Sequence, residues 1–527
     1  MTTASTSTDA APAAPPAYGD KVIAVETAGS EPIPAAERHG SPRQLIWTWA
    51  SPNIEFATVY IGVISVLFFG LSFWQAAAAL LLGTAVGALT HGVLSLDGPR
   101  FGVPQMAIGR FAFGRRGNLL PSTVNAIVAG VGWFAVNSVS AAFALNSLTG
   151  LRPLPSLLLV VAAEIAIGFI GHNFVHAFER YALPVLAVVF LLAGVWTFGK
   201  ADFSGGGSGG GLGGFLLAFS SAWGYAAGWN PNAADYSRYL PATAARWKTA
   251  LYPALGLFVS VYAVGMIGVA SATIAAPEGA TPTGAFTGHL PGWLGNLTLL
   301  AIILGAVSAN ALNVYSSAMS VTSLGLRLPS WLGRSTLVVI SGLAGTAAAW
   351  ASLSDAGAAY EAFLLVIAYW IAPWLGVVMV ERWRMRKVAH AELAGRLTDP
   401  SFTNWLGFAA LLTGAAVSVP LFSHQEKFVG WAAEKWPELG DVTCVAGFAV
   451  SAAVYAIACR VFAPRRTVRA VRVFVTRRTP VAAETGCAPC VRCGSGSTAG
   501  PRSFGRRRSR PRSRGPVRCP STWRTRA

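Results

Sequence analysis

"GYAAGWNPNAADYSRYLP", residues 224–241, follows directly on the apolar run "FLLAFSSAW" at 215–223. A membrane helix begins there, yet Asn230, Pro231, Asn232, Asp235 and Arg238 crowd its second half. Backbone that cannot complete helical hydrogen bonds is tolerated at membrane depth only where it is buried in protein or lines a cavity. Gly224, Gly228 and Pro231 weaken or remove such bonds, so a break is expected at Gly228–Pro231. A second interruption opens an earlier run, "SPNIEFATVYIGVISVLFFGLSF", which carries Pro52, Asn53, Glu55, Thr58 and Gly62.

The rest of the chain is membrane-like. Only 12% of the 527 residues are charged and 53% are hydrophobic, whereas soluble proteins carry about 25% charged residues. Twelve apolar spans are predicted, at 55–73, 77–95, 121–145, 155–176, 182–198, 213–231, 250–274, 293–320, 335–352, 360–380, 403–422 and 441–462. Each approaches the ~20 residues that a spanning helix needs. The expectation is an all-α polytopic membrane protein. Loops after even-numbered spans hold fifteen Lys and Arg, against four after odd-numbered spans. By the positive-inside rule both termini are then cytoplasmic. The two interruptions fall in spans one and six, five apart, and a five-span repeat must be inverted in its second copy. Broken helices at corresponding positions of two halves mark the binding site of a transporter.

The net charge of +18 does not point to nucleic acid. Residues from Pro464 onward contain seventeen Arg and one acid, Glu484, so the remaining 463 residues carry only +2. Three parts follow: 1–44, a disordered cytoplasmic segment without an apolar signal core; 45–462, the transporter domain; and 463–527, an Arg-rich disordered tail. The tail's bias suits anionic lipid, and it is equally what an out-of-frame reading of a GC-rich gene yields. Cys487, Cys490 and Cys493 lie in that tail without a folded scaffold, so no metal site is expected. The segment "DFSGGGSGGGLGG" before span six is expected as a flexible external linker. No paired carboxylates or His/Cys cluster suggest an enzyme.

Four motifs carry a resemblance. "GWNPNAADYSRYLP" in span six, "GPRFGVPQMAIGRFAFGRRGNLLPS" (98–122), "GVGWFAVNS" in span three and "NALNVYSSAMS" in span eight together resemble the purine–cytosine permease branch of the nucleobase–cation symporter family. The resemblance covers residues 38–462 and implies a LeuT-type fold of twelve helices, a five-plus-five inverted repeat with discontinuous helices 1 and 6. It also implies import of a nucleobase or related planar heterocycle across the plasma membrane with H⁺ or Na⁺, with no other cofactor. Hydantoin, allantoin or, on the same fold, an amino acid are the alternatives, and no nucleic-acid partner is expected. Nothing in the residues speaks to oligomeric state.

A planar base needs stacking surfaces and amide-like groups at its rim. Trp133 and Asn137, spaced i, i+4, share one face of span three and match the family's contact positions. Asn310 and Asn313 share a face of span eight, and Asn313 matches the family's substrate-binding Asn. Thr58 in span one joins this set. From span six, Trp223, Tyr225 and Trp229 compete as the second aromatic wall, with Trp229 preferred beside the break. For the cation, Ser308 matches a sodium-site hydroxyl position, with carbonyls of Val59 to Gly62. Val307 stands where sodium-coupled members have a second hydroxyl, which leaves the proton open as the coupling ion. Glu55, Glu164 and Asp235 are further acidic candidates. Gly228 and Pro231 form the helix break, and Asp235 with Arg238 is a candidate cytoplasmic gate.

Overall fold

The computed structural model describes residues 29–170, 172–207, 209–276, 281–325, 334–354 and 356–462. The Arg-rich tail and residues 1–28 lie outside them. Among the described residues, eight helices are long and apolar enough to cross a membrane, and a ninth crossing is a pair bent by 56°, Gln44–Asn53 with Phe56–Leu67. Two shorter apolar helices, Pro153–Phe169 and Thr336–Ser352, and Gly211–Ala227 occupy the remaining expected positions. The spans therefore keep the order read from the sequence. They run as Phe73–Ser95 for span two, Leu119–Thr149 for three, Pro153–Ile170 for four and His172–Phe198 for five. Spans seven to twelve are Arg246–Ser271, Gly292–Thr322, Arg334–Ser352, Ala356–Met385, Trp405–Phe422 and Thr443–Val461.

Packing follows the repeat. Span six lies along span two, and span one along span seven. These two pairs exchange when each span is advanced or set back by five. Spans three and eight, which exchange with one another, pack together at the centre. Small residues permit the closest approaches: Gly62 of span one faces Gly265 and Gly268 of span seven, and a Cβ at Gly268 would overlap the Val59 carbonyl. Without lipid-phase hydrophobic drive between helices, such backbone contact is what holds them. Gly268→Val is expected to destabilise the fold by about 1–3 kcal/mol, read as a lower melting temperature of the detergent-solubilised protein.

Four expectations are corrected. Residues 29–44 are not disordered: the segment is docked, with Ile33 buried and backbone bonds from Ile33 to Gly102 and from His39 to Tyr239. Span one begins at Gln44 rather than 55, and its second half ends at Leu67. The "DFSGGGSGGGLGG" linker packs its backbone against the span one–two turn, with Gly207 N–H donating to Leu71 and Gly210 N–H to Gly70 at 3.0 Å each. Its glycines lack the Cβ that would collide there: at Gly207 one would lie 2.4–2.5 Å from Gly70 backbone atoms. Finally, residues 173–176, expected at the end of span four, and 177–181, expected as a loop, belong to span five, because Asn173, His176 and Glu179 recur at i, i+3, i+6 and meet polar partners inside the bundle.

Candidate functional site

Both interruptions form where the sequence places them, and side chains repair them. In span one, a single turn of 3₁₀ helix, Ser51–Asn53, separates the two halves. Pro52 has no N–H to give, and the Asn53 amide donates to the Trp49 carbonyl at 2.7 Å. Glu55 caps the second half, its Oε2 accepting from Ala57 N–H at 3.0 Å, which suits an acid at a helix N-terminus. In span six, the helix ends at Ala227 and resumes through Asn230–Asn232 into Ala233–Ser237.

The two breaks are tied to each other. Tyr225 Oη lies 2.6 Å from Thr58 Oγ1 and donates to Glu55 Oε1 at 3.0 Å. Trp229 Nε1 donates to Asn53 Oδ1 at 2.9 Å. Thus Thr58, Tyr225 and Trp229, singled out from the sequence, do converge at the break.

Span three faces them. Its helix widens into a π-helical turn at Val128–Trp133, a distortion found often at functional sites. Trp133 sits at the end of that turn, edge-on to Tyr225 (5.1 Å, 90°) and to Phe363 of span ten (5.1 Å, 78°). A Cβ at Gly228 would lie 3.5 Å from the Trp133 ring, so the glycine leaves room for the indole beside the break. Tyr225, not Trp229, is the span-six aromatic in ring contact with Trp133. Trp229 instead packs edge-on against Trp49 (5.5 Å, 67°). Trp223 is buried with its backbone against Gly83 of span two.

One turn beyond Trp133, Asn137 reaches span eight. Its Nδ2 donates to Asn310 Oδ1 at 3.1 Å, and Asn313 Nδ2 donates to the same oxygen at 3.2 Å. All three asparagines are buried. The Oδ1 atoms of Asn137 and Asn313 have no protein partner. Buried unpaired acceptors cost free energy, a cost that a donor reaching either oxygen would remove. Behind them, Ser138 donates to Glu164 Oε2 at 2.7 Å.

A cleft of about 170 Å³ adjoins this cluster, lined by Gly132, Ala135, Tyr360 and Phe363 and by Pro282. Tyr360 and Phe363 are also ring neighbours of Trp133. On the opposite side the path is filled. Arg238 is fully buried and donates to Gly29 O, Tyr239 Oη and Tyr315 Oη. Asp235 accepts from Gln105 N–H at 2.9 Å. The docked 29–44 segment closes over this region.

The cation-site residues are not brought together as a set. Ser308 donates to Glu179 Oε2 at 2.6 Å and lies 3.2 Å from Ser51 Oγ. Ile54 also approaches: a Cβ at Gly305 would lie 2.7 Å from its carbonyl. Val59 and Gly62, by contrast, pack toward span seven. Sequence reasoning missed Glu179 and Ser51. The polar run "HNFVHAFERY" is divided by the sequence reading between the end of span four and a loop, and only its i, i+3 spacing of His176 and Glu179 hints at one buried helical face. The resulting cluster of one carboxyl and two hydroxyls can exchange a proton or offer oxygens to a small cation.

Comparison with known proteins gives this geometry a context. A family model described as permease for cytosine/purines, uracil, thiamine and allantoin matches residues 32–436. The chain is 27% identical to YxlA of Bacillus subtilis, over 82% of this chain and 95% of that protein. It is 28% identical to the purine-cytosine permease fcyB of Emericella nidulans, over 70% and 77% of the two chains. With the purine-cytosine permease FCY2 of Saccharomyces cerevisiae identity is 26%, over 77% and 80%. The fold matches Mhp1, a nucleobase-cation-symport-1 family transporter solved closed with bromovinylhydantoin bound, with a TM-score of 0.66 at 20% identity, covering 82% of this chain and 94% of that one.

Proposed function

The chain belongs to the family of permeases for cytosine/purines, uracil, thiamine and allantoin, and from that premise we propose that it imports a nucleobase or closely related planar heterocycle together with a cation. It is a transporter and not an enzyme. The observation that carries the substrate reading is the ring contact of Trp133 with Tyr225 beside two broken helices, one helical turn from Asn137, whose side-chain oxygen, like that of Asn313 across Asn310, is unpartnered. An aromatic wall supports a flat ring, and the amides read its rim.

Alternating access is supported by the asymmetry of the two sides: a cleft at one end, and Arg238 with the docked N-terminal segment at the other. With both termini cytoplasmic, as the loop charges favour, the cleft opens outward in a plasma membrane. For the coupling ion, the Glu179–Ser308–Ser51 cluster favours the proton, because a carboxyl takes and releases one where a neutral oxygen set does not. Uptake of labelled bases into vesicles is therefore expected to follow an imposed pH gradient in sodium-free buffer and to collapse with a protonophore. A strict requirement for a sodium gradient would overturn the proton reading.

Asn313→Ala removes one of the two free acceptors and one donor to Asn310. Its cost is about 1–3 kcal/mol, and it is expected to fall unevenly across bases, because each presents a different rim. Competition by a panel of bases against one labelled substrate checks this; an unchanged ranking and affinity would exclude span eight from recognition.

A further inference from the structure

Asn310 has no hydrogen-bonding capacity left for a ligand. An asparagine amide offers two N–H donors and an oxygen with two lone pairs. Its Nδ2 donates to the Phe134 carbonyl and to Ser138 Oγ, both at 3.0 Å. Its Oδ1 accepts from Asn137 Nδ2 and Asn313 Nδ2. All four valences are used within the protein.

The orientation of that amide is forced. The Phe134 carbonyl can only accept, so the side of Asn310 facing it must be the nitrogen. The Ser138 hydroxyl has Glu164 Oε2 and the Phe134 carbonyl as acceptors, both at 2.7 Å, and with its proton on either of them turns a lone pair to the same nitrogen. With Nδ2 held there, Oδ1 must face Asn137 and Asn313, and each of these can approach an oxygen only with its own nitrogen. Their Oδ1 atoms are therefore turned away from Asn310, and both are buried without a protein partner. Two adjacent amides could have shown any mixture of donors and acceptors. Here the Phe134 carbonyl and Ser138, by holding the Asn310 nitrogen, restrict them to two acceptors.

From this we infer that Asn310 is a positioning residue that sets the polarity of recognition, and that the carrier selects heterocycles bearing an exocyclic amino group over their oxo counterparts. This rests on the carrier reading given above. A planar amino group donates two N–H bonds in the plane of its ring, one for each oxygen. A ring carbonyl at the same place would set a third acceptor against two others, and both amides would stay unpaired. Sites built to hydrogen-bond a ligand group discriminate strongly against analogues that leave buried groups unsatisfied.

Isothermal titration of the purified full-length protein tests this with two series: adenine, purine and hypoxanthine; and cytosine, pyrimidin-2-one and uracil. In each, the amino member is expected to bind about 5- to 150-fold tighter than the member lacking the substituent, with the oxo member weakest. In Asn310→Leu, similar in volume, the flanking amides are free to turn, and the amino-to-oxo ratio is expected to fall toward one. A residue that only packs would weaken all members alike and leave the ratio standing. Should Asn310→Leu not yield a monodisperse protein, the wild-type ratios decide alone. Oxo members binding as tightly as amino members in both series would overturn the inference while leaving the carrier reading intact. Binding of none of the six would instead remove the carrier reading, and this inference with it.

Discussion

Replacement of Glu179 by Gln is expected to abolish accumulation of substrate against its gradient while leaving exchange of bound substrate across the membrane. Glutamine keeps the volume of the side chain and a carbonyl oxygen that can accept from Ser308, so the 2.6 Å contact survives and span five stays seated. It can neither take nor release a proton. Moving one charge through a 100 mV potential is worth about 2.3 kcal/mol, which corresponds to about 50-fold accumulation at equilibrium. The measurement compares uptake driven by an imposed proton gradient with counterflow into vesicles preloaded with unlabelled base. Full accumulation by Glu179→Gln under a proton gradient would remove Glu179 from coupling. Loss of both accumulation and counterflow would show that it supports the fold or the substrate, not the ion.

Trp133→Ala is expected to weaken every substrate together. The indole is the surface at which span three meets Tyr225 of span six and Phe363 of span ten, and it lies against the glycine of the break. Removing it deletes one stacking face, at a cost of ~1–3 kcal/mol, or about 5- to 150-fold in affinity. Because stacking is indifferent to the donors and acceptors of the rim, the ranking of bases should stay as in the parent. Trp133→Phe should recover part of the loss. Titration of the purified variants checks both, with membrane abundance as the control. Unchanged affinity in Trp133→Ala would move the aromatic wall elsewhere, Trp229 being the next position to test.

Much of this was legible without coordinates. Pro52 and Pro231 cannot donate in a helix, so the breaks could be placed to within a few residues from covalent chemistry alone. The twelve apolar runs and their five-span offset are likewise properties of local composition, because spanning a bilayer requires long stretches of one kind of residue. The i, i+4 pair Trp133–Asn137 and the i, i+3 pair Asn310–Asn313 share helix faces by geometry, whatever surrounds them.

Other features were decided only by packing. "HNFVHAFERY" is polar enough to be split between a span end and a loop, but its polar face is satisfied by Thr48 of span one and Ser308 of span eight, partners more than a hundred residues away. The choice of Tyr225 over Trp229 as neighbour of Trp133 depends on the rotation of span six about its axis, which its glycine-rich sequence leaves open. Residues 29–44 and the glycines around Gly207 and Gly210 have the composition of linkers, and they are docked because neighbouring backbone groups accept their hydrogen bonds. The direction in which Asn137 and Asn313 point their oxygens depends on the Phe134 carbonyl, Ser138 and Glu164 acting through Asn310. The sequence by itself thus determined where helices run, where they break and which faces they show, since those follow from short-range sterics and periodicity. Tertiary structure alone decided which buried polar groups are paired and which are left to a ligand, since that depends on partners brought together from three different spans.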